Sequence, residues 1–367
     1  MAKVTIKNLY KRYGKVEAVK GINLECEDKE FLCLLGPSGC GKSSTLRMIA
    51  GLEDITSGEI TIDGVRVNNI HPSKRDIAMV FETYALYPHK TVFKNMSYPL
   101  RIRKLSKSEI LTRVQRAAEI LEITDLMDRY PRELSGGQKQ RVAIGRAIVR
   151  NPKVFLMDEP ISHLDAKLRA HMRGELKHLQ KELSQTFIYV THDQLEAMSM
   201  ADRIAVMNHG LLQQYDSPHN IFNQPANQFV AGFVGDPPMN FIECILTVED
   251  GWKLKHDEFE LSLEDKVQQK VQAQTPQFSG ALNVTLGIRP ESITIKREKT
   301  KPNEIAGQVY ITEPLGSDLI VDVTVGQERL KIKTTSSFEG DRGAKVFLEM
   351  VPDKIHLFDA QTSKSLM

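Results

Sequence analysis

Apolar residues are distributed differently in the two parts of the chain. Over roughly the first 230 residues, short apolar runs alternate with amphipathic stretches, a pattern typical of a mainly parallel α/β domain. Strands are predicted at residues 31–35, 77–81, 154–157 and 186–190. These runs lack strict alternation of apolar and polar residues, which indicates that helices cover both faces of the sheet.

Two amphipathic helices are predicted between these strands. Ser106 and Glu109 have the spacing of a capping box, and apolar residues follow on one helical face at Ile110, Val114, Ala117 and Leu121. A second helical face is formed by Leu164, Leu168, Met172, Leu176 and Leu183. This helix leads into the strand at 186–190, so the two form part of a β-α-β unit.

The pattern changes near Gly235-Asp236-Pro237-Pro238, a glycine- and proline-rich segment typical of a linker. Beyond it, short strands with a two-residue period are predicted at Val309 and Ile311, at Val321, Val323 and Val325, and at residues 330–333. Turns such as Glu249-Asp250-Gly251 separate such strands. We therefore predict one domain over residues 1–235, with a helical subdomain at about 88–150, and an all-β, barrel-like domain in two lobes over 236–367.

Composition narrows the class of protein. The chain has 367 residues, 41% of them apolar, and its 49 basic and 47 acidic residues leave a net charge of +2. This balance does not indicate a basic nucleic-acid binder. Four scattered cysteines do not suggest a disulfide framework or a zinc site. No apolar region typical of a signal peptide and no apolar run of about 18 residues is found, so no membrane-spanning helix is expected.

The strongest chemical motif is GPSGCGKS, which directly follows the first predicted strand and matches G-x-x-x-x-G-K-[ST]. Phosphates would be bound by the backbone N–H groups of this loop and by the N-terminus of the helix that follows it. Ser44 lies in that helix. Lys42 would reach the β- and γ-phosphates, and the Ser43 hydroxyl would coordinate Mg²⁺. We therefore expect a nucleotide with Mg²⁺ to bind at this motif, at the residues Gly36, Pro37, Ser38, Gly39, Cys40, Gly41, Lys42, Ser43 and Ser44.

Acidic and histidine side chains follow two further strands. Asp158 and Glu159 end the strand at 154–157, which places them beside the phosphate loop. Asp158 would hold Mg²⁺ and Glu159 would polarise the attacking water; alternatively, the pair is a solvated cap of the next element. His192 follows the strand at 186–190. A lone histidine is usually structural, but this position equally fits a contact with the γ-phosphate.

A second anion site is predicted at LSGGQ, which opens a long helical run. Ser135, Gly136, Gly137 and Gln138 lie at the N-terminus of this helix. One nucleotide needs only one binding site for its γ-phosphate. The simplest explanation of a second site is that it binds the nucleotide held by another copy of the chain, in a two-fold dimer. The alternative is an ordinary Ser-Gly helix cap.

In this order, the phosphate loop, Glu82, LSGGQ, Asp158-Glu159 and His192 resemble the nucleotide-binding subunits of ATP-binding-cassette (ABC) transporters. SHLDAKLR (162–169), YALYPH (84–89) and LGIRPESI (286–293) extend the resemblance to importer ATPases of the maltose and multiple-sugar type. The implied fold is an α/β P-loop nucleotide-binding domain with a helical subdomain, followed by an all-β, OB-like (TOBE-type) regulatory domain.

The resemblance also implies roles for single residues and partners. Tyr13 would stack on adenine, unless it is simply an exposed loop tyrosine, and Asp165 would bridge two copies of the chain. Tyr84 to His89 would face the cytoplasmic loops of two membrane permease subunits, which work with a solute-binding protein; the alternative is that these side chains pack in the core. The protein would act as a homodimer at the cytoplasmic face of the membrane, without binding nucleic acid.

One departure from the family concerns Glu82, which stands where the family has a glutamine. The glutamine contributes an oxygen to Mg²⁺ and to the attacking water. A carboxylate keeps an oxygen ligand but adds a negative charge near the γ-phosphate. Glu82 is therefore predicted to be a catalytic residue and a metal ligand, with altered metal dependence or coupling.

The leading functional hypothesis is an ATP-hydrolysing subunit that powers import of sugars or oligosaccharides through separate membrane subunits. Import of another solute, such as a polyamine or an anion, fits the same layout. A soluble cassette ATPase acting on nucleic acid or ribosomes is the alternative from another class. It usually carries two cassettes or a basic insertion, and the sequence has neither.

Overall fold

A computed structural model describes residues 2–248, 251–275, 280–301 and 303–367. The chain divides into two compact units, residues 1–218 and 219–367. This division precedes the linker predicted at 235–238, because Arg289 of the second unit donates hydrogen bonds to the carbonyls of Phe222 and Val234. The turn predicted at Glu249-Asp250-Gly251 includes positions 249 and 250, which lie outside the described residues.

The first unit contains strands and helices in alternation. Its strands are β1 (Val4–Tyr13), β2 (Val16–Cys26), β3 (Phe31–Leu35), β4 (Ser57–Ile62), β5 (Val65–Arg66), β6 (Ile77–Val80), β7 (Val154–Asp158), β8 (Thr186–Thr191), β9 (Arg203–Asn208) and β10 (Leu211–Asp216). Its helices are α1 (Lys42–Ala50), α2 (Val92–Ile102), α3 (Lys107–Ile120), α4 (Gly136–Ile148), α5 (Ala166–Leu183) and α6 (Gln194–Met200). Short 3₁₀ helices lie at Pro72–Lys74, Thr124–Leu126 and Pro131–Glu133.

Two sheets enclose the core of the first unit. The antiparallel sheet has the order β2-β1-β4-β5, and the larger sheet has the order β10-β9-β3-β8-β7-β6. In the larger sheet β9, β3, β8, β7 and β6 are parallel, and β10 pairs with β9 in the antiparallel direction. Apolar residues of both sheets and of α1 form one buried cluster, which includes Ile6, Leu24, Leu34, Leu46, Met48, Leu156 and Val190.

The four predicted buried strands are confirmed as β3, β6, β7 and β8. Every residue of β3 is buried. Leu32 and Leu34 face the cluster just described. On the other face of β3, the Phe31 ring lies 5.6 Å from the Phe187 ring. The helix predicted after Ser106 is α3, with the capping box to Glu109 present. The helix predicted to carry Leu164 is α5, although Leu164 precedes it.

The second unit is mainly β-structure. Its strands are β11 (Asn240–Thr247), β12 (Lys253–His256), β13 (Phe259–Ser262), β14 (Ala281–Ile288), β15 (Ile293–Lys296), β16 (Ile305–Leu315), β17 (Asp318–Val325), β18 (Glu328–Thr335), β19 (Lys345–Met350) and β20 (His356–Asp359). Helices are α7 (Pro218–Asn223, which starts at the division between the units), α8 (Gln228–Phe233) and α9 (Asp265–Gln274), with 3₁₀ helices at Pro290–Ser292 and Pro352–Lys354.

These strands form two antiparallel sheets, with orders β13-β12-β11-β14-β20 and β15-β19-β16-β17-β18. Val321, Val323 and Val325 are buried as predicted, but Asp322 between them is buried as well, so the predicted alternation is incomplete there. It fails at Ile311, which is 46% exposed although Val309 is buried. The reason is a register shift between Val309 and Ile311 in the pairing with β17, because such an irregularity turns the following side chains to the other face.

Candidate active site

At one edge of the larger sheet, four of its five parallel strands are ended or followed by a predicted site residue. The strands lie in the order β3, β8, β7 and β6. Their pairing sets Leu35 of β3 beside Thr191 of β8, and Asp158 of β7 beside Val190 of β8. The loop after β3, the acidic pair after β7 and His192 after β8 therefore meet at the carboxyl edge, where α/β proteins bind ligands.

The phosphate loop joins β3 to α1. Lys42, the first residue of α1, is only 4% exposed, and its ammonium donates hydrogen bonds to the carbonyls of Gly36 (2.8 Å) and Pro37 (3.0 Å). Gly41 has a φ of 104°, and a Cβ atom there would lie 2.5 Å from the Ala18 carbonyl oxygen. Glycine is therefore required at this position by both backbone conformation and close packing.

The other residues of the motif lie around this turn. Ser38 and Gly39 are exposed, Cys40 is buried, and Pro37 is half-buried. Ser43 and Ser44 continue the first turn of α1, where backbone N–H groups lack partners within the helix. The loop thus brings the N–H groups of the first helical turn and the Lys42 ammonium close together, which suits an anionic ligand.

Ser43 and Asp158 come together from positions 115 residues apart in the sequence. The Ser43 hydroxyl donates a 2.9 Å hydrogen bond to Asp158 Oδ1, and Arg47 lies 3.9 Å from Asp158 Oδ2. Burial raises the pKa of Asp158, and the Ser43 hydrogen bond and the Arg47 charge oppose that shift. A hydroxyl and a carboxylate oxygen therefore lie side by side at the start of α1.

Glu159 and His192 form a second pair at the same edge. His192 Nδ1 lies 2.8 Å from Glu159 Oε2. Glu159 has a φ of 44°, an uncommon conformation for a residue with a side chain and one that recurs at functional sites. The Glu159 amide donates to the carbonyl of Val190 in β8, which holds the residue against the strand that leads to His192.

Glu82 lies two residues beyond the end of β6, and its side chain contacts His163. His163 Nε2 is 3.4 Å from Glu82 Oε1, and both side chains are about half exposed. No motif or periodicity predicted a role for His163. It lies between the residues Glu159 and Asp165, in a loop that also contacts other parts of the site.

Tyr13 is 45% exposed at the end of β1. Its hydroxyl lies 3.1 Å from Ser44 Oγ and donates a hydrogen bond to Glu53. Burial, followed by the hydrogen bond to Glu53, raises the pKa of Tyr13. The Lys11 ammonium lies 4.8 Å from the ring centre. The ring is thus fixed beside the phosphate loop and remains accessible.

The LSGGQ segment ends at the first turn of α4. Ser135 is the N-cap, and its Oγ accepts from the Gln138 amide (3.3 Å) while Gln138 Oε1 accepts from the Ser135 amide (2.9 Å). A Cβ atom on Gly137 would lie 2.7 Å from the Leu168 side chain of α5. Asp165 is the N-cap of α5 and accepts from the Leu168 amide at 2.9 Å.

Sequence reasoning missed several side chains that hold the site together: Arg47, Glu53, His163, Arg169 and Asp193. Arg169 is the last residue of the SHLDAKLR segment, and Asp193 directly follows His192. Their positions next to motif residues were the only available signal, because the contacts join loops that are distant in the sequence.

Three family models match the chain: ABC transporter over residues 19–162, MalK OB fold domain over 235–293, and TOBE domain over 286–358. The chain is 49% identical over 376 residues to the trehalose/maltose import ATP-binding protein MalK of Thermococcus litoralis, with 100% of both chains covered. It is 47% identical over 363 residues to the lactose transport ATP-binding protein LacK of Rhizobium radiobacter, with 98% of each covered.

Among solved structures, the chain is similar to a dimeric, post-hydrolysis form of the ATP-binding cassette MJ0796 bound to ADP and Pi. The TM-score is 0.53 at 33% identity, over 59% of this chain and 98% of that chain. Across the described residues, no helix is both long and apolar enough to cross a bilayer. The matched models and the full-length similarity to transport ATP-binding proteins show that the chain belongs to the ABC transporter family, as an ATPase whose nucleotide-binding domain is followed by OB-fold and TOBE domains.

Proposed function

We propose that the chain is the energy-coupling ATPase of an importer for sugars or oligosaccharides. The observation that carries this proposal is the meeting of the Lys42 loop, the Ser43–Asp158 pair and the Glu159–His192 pair at one sheet edge. The sugar class is supported by relatives named for trehalose/maltose import and lactose transport, which match along the whole chain.

ATP would bind with its phosphates on the loop 36–43 and its adenine on the Tyr13 ring. The Lys42 ammonium, now bonded to two loop carbonyls, would turn its donors to the β- and γ-phosphates. The Tyr13 hydroxyl contacts Ser44 in the first turn of α1, so a base stacked on the ring would lie close to the phosphate site.

The Ser43 and Asp158 oxygens fit Mg²⁺, which prefers hard oxygen donors and commonly takes the rest of its ligands from phosphates and water. Among the described residues, no three histidine, cysteine or carboxylate side chains cluster as a metal site. Ser43 and Asp158 would therefore hold the ion together with the substrate, with Glu82 as a further oxygen donor. When bound, the ion would neutralise charge on the phosphates.

Glu159 would accept the proton of the attacking water, because it directly follows Asp158, whose carboxylate contacts Ser43 of the phosphate loop. His192 would fix the orientation of this carboxylate through the 2.8 Å contact to Oε2. Its ring would also contact the γ-phosphate and stabilise the charge that develops there.

Two copies of the chain would enclose each ATP between them. The N-terminus of α4, with Ser135, Gly136, Gly137 and Gln138, would close on the ATP of the partner subunit, and Asp165 would bridge the two copies. Closure on ATP and opening after hydrolysis would drive the membrane subunits between two states. The similar cassette MJ0796 is itself dimeric in its nucleotide-bound form.

An apolar cleft near the YALYPH segment would receive a cytoplasmic loop of a permease subunit. The cleft has a volume of about 380 Å³ and includes Leu52, Phe81 and Ile102, all of which are substantially exposed. A neighbouring cavity of about 200 Å³ is lined by Tyr84 and other residues of this segment. Two permeases, and a solute-binding protein acting through them, would place the chain at the cytoplasmic face of the membrane.

The test combines hydrolysis with dimer formation. Wild-type protein should hydrolyse ATP, and Glu159→Gln should abolish hydrolysis and accumulate ATP-bound dimers in light scattering. Glu182→Gln, a matched change near the end of α5, should alter neither result. Absence of ATP-dependent dimers in Glu159→Gln would contradict the proposed mechanism. The solute class is tested in a strain that lacks the gene for this chain. Its uptake of sugars, rather than of polyamines or inorganic anions, should be lost.

A further inference from the structure

Arg169 binds two loops of the active site at the same time. It lies in the first turn of α5, one turn after the N-cap Asp165. Its Nη2 donates to the carbonyls of Ser162 (3.1 Å) and Leu164 (3.0 Å), and its Nη1 donates to Asp193 Oδ2 (3.3 Å). The guanidinium is therefore shared between the loop after β7 and the loop after β8.

Each of these loops carries residues of the proposed mechanism. The first runs from Glu159 to Asp165, and its turn is closed by bonds of Ser162 N and Oγ to the Glu159 carbonyl. In the second, Asp193 directly follows His192. These loops are also joined by the Glu159–His192 contact, and Arg169 adds a further link at Ser162 and Leu164.

Asp193 divides its carboxylate between two tasks. Its Oδ1 accepts the amides of Leu195 (2.8 Å) and Glu196 (3.2 Å) and so caps α6. Its Oδ2 faces Arg169. Because α6 fixes Oδ1, Arg169 is anchored to a rigid element, and the carbonyls of the loop after β7 are held relative to it.

The chemistry of arginine suits this task. Its guanidinium is planar and offers donors in a fixed fork, whereas a lysine ammonium is a single flexible point of charge. Arg169 and Asp193 retain side-chain exposures of 30% and 20%, and ion pairs that keep contact with water add little to stability. The directions of the three hydrogen bonds, rather than the strength of the ion pair, distinguish this contact.

We infer that Arg169 is a positioning residue that keeps Asp165, which would face the partner subunit, in register with the Glu159–His192 pair. This inference rests on the proposed function. It adds that closure of the dimer is coupled to the alignment of the general base, Glu159. Arg169 would contact neither ATP nor the attacking water.

The experiment measures kcat and KM for ATP in Arg169→Gln, Arg169→Lys and Asp193→Asn. Asparagine caps helices about as well as aspartate, so Asp193→Asn removes the charge and leaves the α6 cap. Arg173→Gln is the control, because it removes the same charge one helical turn further along α5.

We expect Arg169→Gln to lower kcat about 10- to 100-fold, as misplaced catalytic groups do, and to leave KM within about twofold. Arg169→Lys should recover part of the rate. The double variant Arg169→Gln/Asp193→Asn should be no slower than Arg169→Gln alone, because both changes break one contact. In the Glu159→Gln background, Arg169→Gln should raise the ATP concentration needed for half-maximal dimerisation.

Two outcomes separate this inference from the proposed function. If Glu159→Gln dimerises with ATP and Arg169→Gln behaves like Arg173→Gln, the positioning role is wrong and the proposed function stands. If Glu159→Gln never dimerises with ATP, the proposed function fails and the inference fails with it. Should Arg169→Gln not fold, an unchanged kcat in Asp193→Asn overturns the positioning role.

Discussion

Replacement of Glu82 by glutamine tests what the extra carboxylate does at the site. The resemblance to importer ATPases places a glutamine at this position, and the structure pairs Glu82 with His163 at 3.4 Å. Glu82→Gln keeps an oxygen donor of nearly the same size and removes one negative charge. The shape of the loop should therefore survive, and the electrostatic contribution can be measured separately.

The exposure of both side chains limits the size of the effect. Glu82 and His163 retain 50% and 55% of their accessible surface, so the Glu82 charge acts on a nearby ion through a medium close to water. Two charges 4 Å apart then interact by about 1 kcal/mol, and exposed pairs measure up to about 1 kcal/mol. This free energy corresponds to about a fivefold change in an equilibrium constant.

The sign follows from the charges. A carboxylate beside the metal site attracts Mg²⁺, so Glu82→Gln should raise the Mg²⁺ concentration for half-maximal hydrolysis by two- to fivefold, roughly the factor just derived. Hydrolysis should continue, because the proposed general base, Glu159, is untouched. The thermal midpoint should move by no more than a few degrees, since about 1 kcal/mol shifts it only that far.

The assay is the initial ATPase rate across a Mg²⁺ titration at saturating ATP, with thermal unfolding of the same preparations. Glu182→Gln, with the same chemical change near the end of α5, is the control. An identical rate and identical Mg²⁺ dependence in wild type and Glu82→Gln would refute the reasoning, because Glu82 would then lie too far from the metal to affect it.

Four further predictions concern binding and stability. Lys42→Met should weaken ATP binding about 10- to 100-fold in equilibrium dialysis, since it removes charged hydrogen-bond donors. Gly41→Ala should lower the free energy of unfolding by about 1–3 kcal/mol in urea titrations, because its φ is 104° and its Cβ would lie 2.5 Å from a carbonyl oxygen. Burial raises the pKa of Glu196, so its ionisation destabilises the fold as the pH rises through that raised pKa. Glu196→Gln should therefore raise the urea midpoint at about pH 8 and lose that advantage near about pH 3, below the ordinary glutamate pKa of about 4.3. Gly136→Ala should fold normally but weaken ATP-dependent dimerisation in scattering measurements.

Much of the fold was predictable because buried strands leave a strong sequence pattern. The apolar runs became β3, β6, β7 and β8, and the rule that parallel strands share a carboxyl edge brings their following loops together. Ser43 and Asp158 are thus neighbours for a topological reason, although 115 residues separate them. Predictions of this kind need only strand order and direction.

Contacts between side chains of different loops were not predictable. The Glu82–His163 and Arg169–Asp193 pairs depend on loop paths and rotamers that no periodicity encodes. The same limit explains Ile311, where one irregularity in strand pairing reversed the face expected from alternation. The sequence specifies which strands form more directly than it specifies how the connections between them touch.

The two glycines of the LSGGQ segment show how the structure separates folding from function. Gly137 has a packing reason, since a Cβ atom there would lie 2.7 Å from the Leu168 side chain, which would have to shift. Gly136 has no such reason: a Cβ atom would meet Leu164 at 3.5 Å and the Tyr84 hydroxyl at 3.8 Å, which are ordinary contacts. Alanine is also the better helix former. If packing alone determined the residue at position 136, alanine would be accepted there without loss of stability or dimerisation. A defect of Gly136→Ala that appears only with ATP would therefore indicate that a ligand closely approaches the N-terminus of α4.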